Sequence, residues 1–191
     1  MSDSLPATPR PSLVRWATLF YGGLAAAALG WNAWAGTPWA FVDAAARAEG
    51  VRWLGDASLG LGVGALVVVV SRGITRTEWG ERVSRELGRA IGPLRAGESL
   101  WLAAVSGFAE EAFFRGALQP RVGWLAASVL FGLAHLAPSR ALLPWTGFAI
   151  AAGGILGGLY AATGNLLAPV LAHAFVNALN LRWLSRRYGN S

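Results

Sequence analysis

Phe108-Ala109-Glu110-Glu111-Ala112-Phe113-Phe114-Arg115 sets two adjacent carboxylates and an arginine inside a run that otherwise reads as a membrane-spanning helix. Charge in lipid is expensive, on the order of 2.5 kcal/mol or more per group on insertion scales. A chain that carries three such groups within six residues is expected to use them, so the first question is what else could share their site.

The surrounding composition supports the membrane reading. Hydrophobic residues make up 54% of the 191 and charged residues 14%, well below the roughly 25% charged of a soluble domain. The 10 Trp suit anchoring at the lipid headgroups. The net charge of +6 comes entirely from Arg, since the chain has no Lys. These arginines fall in loops between apolar runs, which argues against nucleic acid as the partner. A Lys-free chain rich in Ala, Gly, Arg and Trp fits a GC-rich genome and a bacterial inner membrane. With no Cys, disulfides, thiolate metal sites and cysteine nucleophiles are excluded. His135 and His173 are the only histidines, so any imidazole chemistry uses them.

Six apolar segments follow from the pattern: about 13–35, 53–70, 99–118, 122–137, 142–163 and 166–184. Each is read as a crossing of a ~30 Å hydrocarbon core, the fourth being short enough for half-insertion. Residues 1–12, with three Pro, are expected to be a disordered tail, and 13–187 one membrane domain whose motif-bearing core is 99–184. Ala33-Trp34-Ala35 resembles a signal-peptidase site. Trp31 and Trp34 favour an interfacial helix end over cleavage. Residues 36–52 read as a mixed, partly helical loop, with Asp56 at the interface beyond it.

Between the second and third segments Trp79, Val83, Leu87 and Ile91 recur every four residues, and Glu78–Arg82 and Glu81–Arg85 are i,i+4 pairs. This predicts an amphipathic helix on the membrane surface, a solvated linker helix being the alternative. The predicted fold is thus all-α, a polytopic bundle of about six membrane helices plus one amphipathic helix. Gly153-Gly154-Ile155-Leu156-Gly157-Gly158 overlaps two small-xxx-small pairs for close helix approach. Six crossings put both termini on one side. That side holds twelve arginines and the other three (47, 52 and 121), so both termini are expected in the cytoplasm.

Within the last four segments lie Glu110, Glu111, Arg115, His135, His173, Asn177 and Asn180. Glu111 and Arg115 are i,i+4 and can pair, while Glu110 points about 100° away from Glu111. His173 and Asn177 are also i,i+4, and Phe131 lies one turn before His135. The set can hydrolyse an amide. A carboxylate acts as general base on water, an imidazole shares protons, and a second imidazole with an amide steadies the oxyanion. The bland alternative is a set of interhelical hydrogen bonds that hold the bundle.

These residues resemble the CPBP family of intramembrane proteases, which includes type II CAAX prenyl endopeptidases and bacterial Abi bacteriocin-processing and immunity proteins. The family's EExxxR is matched by Glu110, Glu111 and Arg115, its FxxxH by Phe131 and His135, and its HxxxN by His173 and Asn177. The resemblance implies a helical bundle around a polar cavity and peptide-bond hydrolysis in the membrane. It assigns water activation to Glu110 and His135, the oxyanion hole to His173 and Asn177, and support to Glu111, Arg115 and Phe131. It implies no obligatory cofactor. If zinc were used, Glu110, His135 and His173 would be its ligands. The partners implied are the bilayer and a membrane-anchored protein or peptide, such as a precursor peptide, an anti-sigma factor or a sorting tail. Other readings are a non-enzymatic immunity or scaffold protein of the same fold, and a transporter, against which the lack of an inverted repeat counts.

Overall fold

The computed structural model describes residues 11–37 and 41–190, and the helices fall close to the expected segments. Helix α1 runs Pro11–Trp34, α2 Ala44–Glu49, α3 Trp53–Ile74 and α4 Glu78–Ile91. Helix α5 (Ala96–Glu111) continues through a π-helical stretch, Ala112–Leu118, into α6 (Gln119–Val122). Then come α7 (Trp124–Ala134), α8 (Leu143–Thr163) and α9 (Leu167–Tyr188). The tail expected over 1–12 lies mostly outside the described residues, and α1 already begins at Pro11.

Local chemistry sets the helix ends. The Thr77 hydroxyl accepts from Gly80 N at the start of α4, and Asp43 does the same for Ala46 N at the start of α2. The Glu98 carboxylate reaches back to Arg95 N at 2.7 Å to open α5. Gly164 ends α8 in the left-handed region at φ 66°, where a β-carbon would be strained.

Among the described residues three helices are long and apolar enough to cross a membrane by composition: Leu13–Trp34, Trp53–Ile74 and Arg140–Thr163. The α5–α6 rod and α9 carry the charged and polar side chains of the site, which lowers their hydropathy. The fourth segment differs from a full helical crossing. At 11 residues, α7 is about 16 Å long, half of what a span needs. It stops at His135, and a non-helical stretch carries the chain on to Ser139. There the Ser139 hydroxyl donates to Glu86 of α4 at 3.0 Å. Non-helical backbone of this kind is tolerated at membrane depth only where protein shields it.

Helix α9 is the central post, with α3, α4 and α5 packed on it, while α7 and α8 pair beside them. Glycines allow the close approaches. A β-carbon at Gly107 would come within 2.9 Å of Ala174 N, and one at Gly64 within 3.0 Å of the Ala172 carbonyl oxygen. On α8 the glycine stripe leaves its carbonyls open to side chains. Arg115 donates to Gly153 O, Gln119 to Gly157 O and Trp124 to Gly154 O, at 3.0, 3.0 and 2.8 Å.

One end of the bundle holds α2, Arg121 and a buried knot in which Asn165 donates to Asp56 at 2.8 Å. Asp56 sits at the start of α3 as expected, but it is shielded there, 1% exposed. The other end gathers α4 and the end of α9. There Leu94 N donates to Ser185 Oγ and Arg182 to Leu94 O. The apolar face of α4, with Trp79, Val83, Leu87 and Ile91, lines a partly open cavity. The helix thus roofs the bundle as well as meeting its surroundings, because Gly80 and Gly88 let it settle tightly on Ile74 and Tyr188.

Candidate active site

That cavity has a volume of about 380 Å³ and is mostly apolar; Glu110, His135, His173 and Asn177 supply its polar wall. The wall is set by helix phase. The two glutamates, one residue apart, face different neighbours. Glu111 is fully buried (0% exposed) and pairs with Arg115, 1% exposed, at 3.1 Å. Glu110 turns to the cavity.

His173 bridges the two carboxylates. Its Nδ1 lies 2.7 Å from Glu111 Oε1, and its Nε2 lies 4.0 Å from Glu110 Oε2. His135 Nδ1 lies 2.8 Å from the Phe131 carbonyl oxygen. A carbonyl only accepts, so this nitrogen carries the proton and Nε2 is left to face the cavity. That Nε2 is 3.6 Å from Glu110 Oε2, an oxygen with no hydrogen-bond partner among the described residues. Both approaches are too long for direct hydrogen bonds.

The Phe131 ring makes the second wall. It lies 4.6 Å from the His135 ring and 5.8 Å from the His173 ring, centroid to centroid. The Arg115 guanidinium covers it at 4.4 Å. One aromatic ring thus spaces both imidazoles from the buried cation. Arg115 belongs to the π-helical stretch that begins directly after Glu111. Such wide turns recur at functional sites. Here the turn leaves the Gly116 and Ala117 carbonyls free for side chains. Asn32 of α1 donates to Gly116 O at 3.2 Å, and Arg121 donates to Ala117 O and to Asn32.

The seven residues of the three sequence motifs therefore come to one place. Six form a connected set around Glu110 and Glu111. Asn177 stands one turn of α9 beyond His173, and its Nδ2 donates to Ser106 Oγ at 2.9 Å. Three further residues had not been singled out. Ser106, one turn before Glu110, holds Asn177. Tyr21 of α1 lines the same cavity as Glu110. Trp145 of α8 packs edge-on against the His135 ring at 5.9 Å. Their signals were weak: the i,i+4 spacing of Ser106 and Glu110, and a tyrosine in the middle of an apolar span.

Among the described residues no group of three His, Cys, Asp or Glu side chains is arranged to hold a metal ion.

Comparison with known proteins bears on the same stretch. Residues 93–179 match the family model described as type II CAAX prenyl endopeptidase Rce1-like. Over this segment the chain is similar to the Rce1-like family. An uncharacterized protein of Bacillus subtilis, YpbD, is 38% identical over 82 residues, a match covering 42% of this chain and 42% of that protein. The chain thus aligns with less than half the length of that curated relative. No solved structure matches the chain. The Rce1-like segment contains every motif residue, whereas Tyr21 and the cavity residues of α3 and α4 lie outside it.

Proposed function

We propose that the chain is an intramembrane endopeptidase that cleaves a peptide bond of a membrane-associated protein or peptide, using water activated by Glu110 and His135. The observation that carries this is the placement of Glu110 Oε2, without a hydrogen-bond partner among the described residues, 3.6 and 4.0 Å from the Nε2 atoms of both histidines. A water held between Glu110 and His135 would satisfy both, as bridging waters commonly do. Glu110 takes its proton as the oxygen attacks the carbonyl carbon. A C–O bond forms and the carbonyl π electrons move to oxygen. Asn177 has a second amide hydrogen, beyond the one given to Ser106, to donate to that oxyanion. His173 donates there from Nε2 in its doubly protonated form, since Nδ1 is engaged by Glu111. The C–N bond then breaks, and the proton taken from water passes through Glu110 or His135 to the leaving amine.

Glu111, Arg115 and Phe131 act as supports in this scheme, fixing His173 and the phase of α5. No step runs through a metal. The arginine-rich end of the bundle, with α4 and the end of α9, faces the cytoplasm by the positive-inside rule. The scissile bond would then meet Glu110 at membrane depth.

The test is cleavage of membrane-anchored peptides by purified protein, compared with E110A, H135A and a chelated sample. Wild-type cleavage that survives chelation and is lost in both variants is the expected result. Cleavage by E110A at the wild-type rate refutes the base assignment. Loss on chelation with recovery on zinc refutes the metal-free scheme.

A further inference from the structure

His135 stands at a helix end, with one anchor before it and one after. Before it, α7 is pinned to α8 at Gly132, where a β-carbon would have no room against Ile150. Beyond Gly132, Leu133 and Ala134 are exposed. The last turn is closed only by its own backbone, His135 N donating to Gly132 O and Leu136 N to Leu133 O, both at 3.0 Å. After it the chain leaves the helix, because Pro138 has no N–H to give and turns Ala137 away from helical geometry. Among the described residues, one hydrogen bond ties 136–139 to a helix outside the α7–α8 connection. In it the Ser139 hydroxyl donates to Glu86 Oε2 of α4 at 3.0 Å.

Glu86 is placed for other partners and does not take them. Arg82 lies four residues before it and Arg89 three after it, the spacings at which helical ion pairs form. Glu81 of the same helix does pair in this way, with Arg85. Glu86 forms no ion pair among the described residues. Its carboxylate is given to Ser139 instead.

We infer that Glu86 is a positioning residue for His135, acting through Ser139. This rests on the proposed peptidase reading, in which Glu110 and His135 share the attacking water. His135 Nε2 and Glu110 Oε2 are 3.6 Å apart, and a misplacement of about 1 Å in such a pair costs about 10²-fold in rate. The bond from Nδ1 to Phe131 O fixes how the ring is turned on its own helix. The Phe131 and Trp145 rings flank it. The Glu86–Ser139 bond holds the end of the helix itself, where fraying begins. Glu86 lies outside the matched segment 93–179 and Ser139 inside it. The roof helix thus reaches the reacting groups through one hydrogen bond.

The experiment compares the full chain in phosphatidylcholine nanodiscs with E86A, S139A, E86A/S139A and the conservative E86Q and S139T. The alanine variants remove the bond, whereas E86Q and S139T keep an acceptor oxygen and a hydroxyl. With membrane-anchored peptides, kcat should fall at least about tenfold in E86A and in S139A, with KM within about twofold of wild type. E86Q and S139T should keep most of the rate. The double variant should be no slower than either single one, since both act through one bond. Hydrogen exchange needs no cleavage. The stretch 131–139, where the His135 and Leu136 amides are bonded, should exchange at least about tenfold faster in E86A and S139A, and at the wild-type rate in E86Q and S139T. Unchanged exchange in E86A and S139A overturns the inference whatever the activity. So do losses that multiply in the double variant, and so does an E86Q as slow as E86A, which would make the charge of Glu86 rather than its bond the operative feature. If E86A fails to fold, S139A against S139T carries the same comparison. Faster exchange in the alanine variants of a chain whose wild type cleaves nothing leaves the anchor in place and refutes the peptidase reading instead.

Discussion

Replacing each of the two adjacent glutamates should have opposite effects on stability, and the contrast separates their roles. The Glu111–Arg115 pair is 0% and 1% exposed, with Arg115 also donating to Gly153 O. In Glu111→Ala the guanidinium stays buried with one neutral carbonyl, and His173 Nδ1 loses its 2.7 Å partner. Breaking a buried pair from one side costs about 3–5 kcal/mol. The lost hydrogen bond to a charged group adds about 1.5–3 kcal/mol, though the two overlap and do not sum. Glu110 differs, because its Oε2 is buried without a partner. Glu110→Gln keeps shape and removes the charge from an oxygen with no hydrogen-bond partner among the described residues, so stability should hold or rise by about 1 kcal/mol. Activity should fall about 10²–10⁴-fold with loss of the base. The assay is urea or thermal unfolding in one detergent, with peptide cleavage measured in parallel. In the double variant E111L/R115M, stability should recover above either single change, since neither member of the pair is left charged without the other. If E111A unfolds with wild type, or E110Q is as destabilised as E111A, the division of labour between the glutamates is wrong.

Other outcomes follow from the same geometry. Gly107→Ala should cost about 1–3 kcal/mol, because its β-carbon meets the Ala174 backbone, while Gly147→Ala, with nothing within 4 Å, should be silent in the same unfolding assay. Ser106→Ala strips the partner from Asn177 Nδ2. It should lower kcat severalfold with KM little changed, and a change in KM alone would count against an oxyanion role for Asn177. A C-terminal reporter fusion should read as cytoplasmic, whereas a periplasmic signal would refute the six-pass path with α7 completing its passage at Ser139.

The sequence was most legible where one physical constraint dominates. Charged side chains inside apolar runs must have partners, and helical spacing predicted which. Glu111 meets Arg115, Glu110 turns elsewhere, and both histidines converge on them. The helix ends were also within reach, because Thr77, Asp43 and Gly164 carry their own capping chemistry. What escaped depends on distance in sequence or on backbone phase. Nothing in Tyr21 announces that it lines the same cavity as Glu110. The π turn at Ala112–Leu118 contains no residue that forbids an ordinary helix, and it is held by groups on α1 and α8. The roof role of α4 could not be separated from membrane binding, since an apolar stripe fits a cavity and a lipid surface equally well. The shortness of α7 was partly visible in Pro138, but the bond from Ser139 to Glu86 that completes the path was not.

The π turn has a consequence for how this chain can change. It holds one more residue than a regular turn, so deleting a single residue after Arg115, such as Ala117, would let the rod close into an ordinary α-helix. Because the wide turn takes up the extra residue itself, the helix beyond it would keep its face, and Gln119, Arg121 and Trp124 could still meet Gly157, Asn32 and Gly154. What would be lost is the opening that leaves the Gly116 and Ala117 carbonyls to Asn32 and Arg121. The same deletion one turn earlier, in the regular helix of α5, would instead swing one part of the rod by about 100° against the other. The turn is therefore the one place in this rod where a length change of one residue could leave His135 and Glu110 in register.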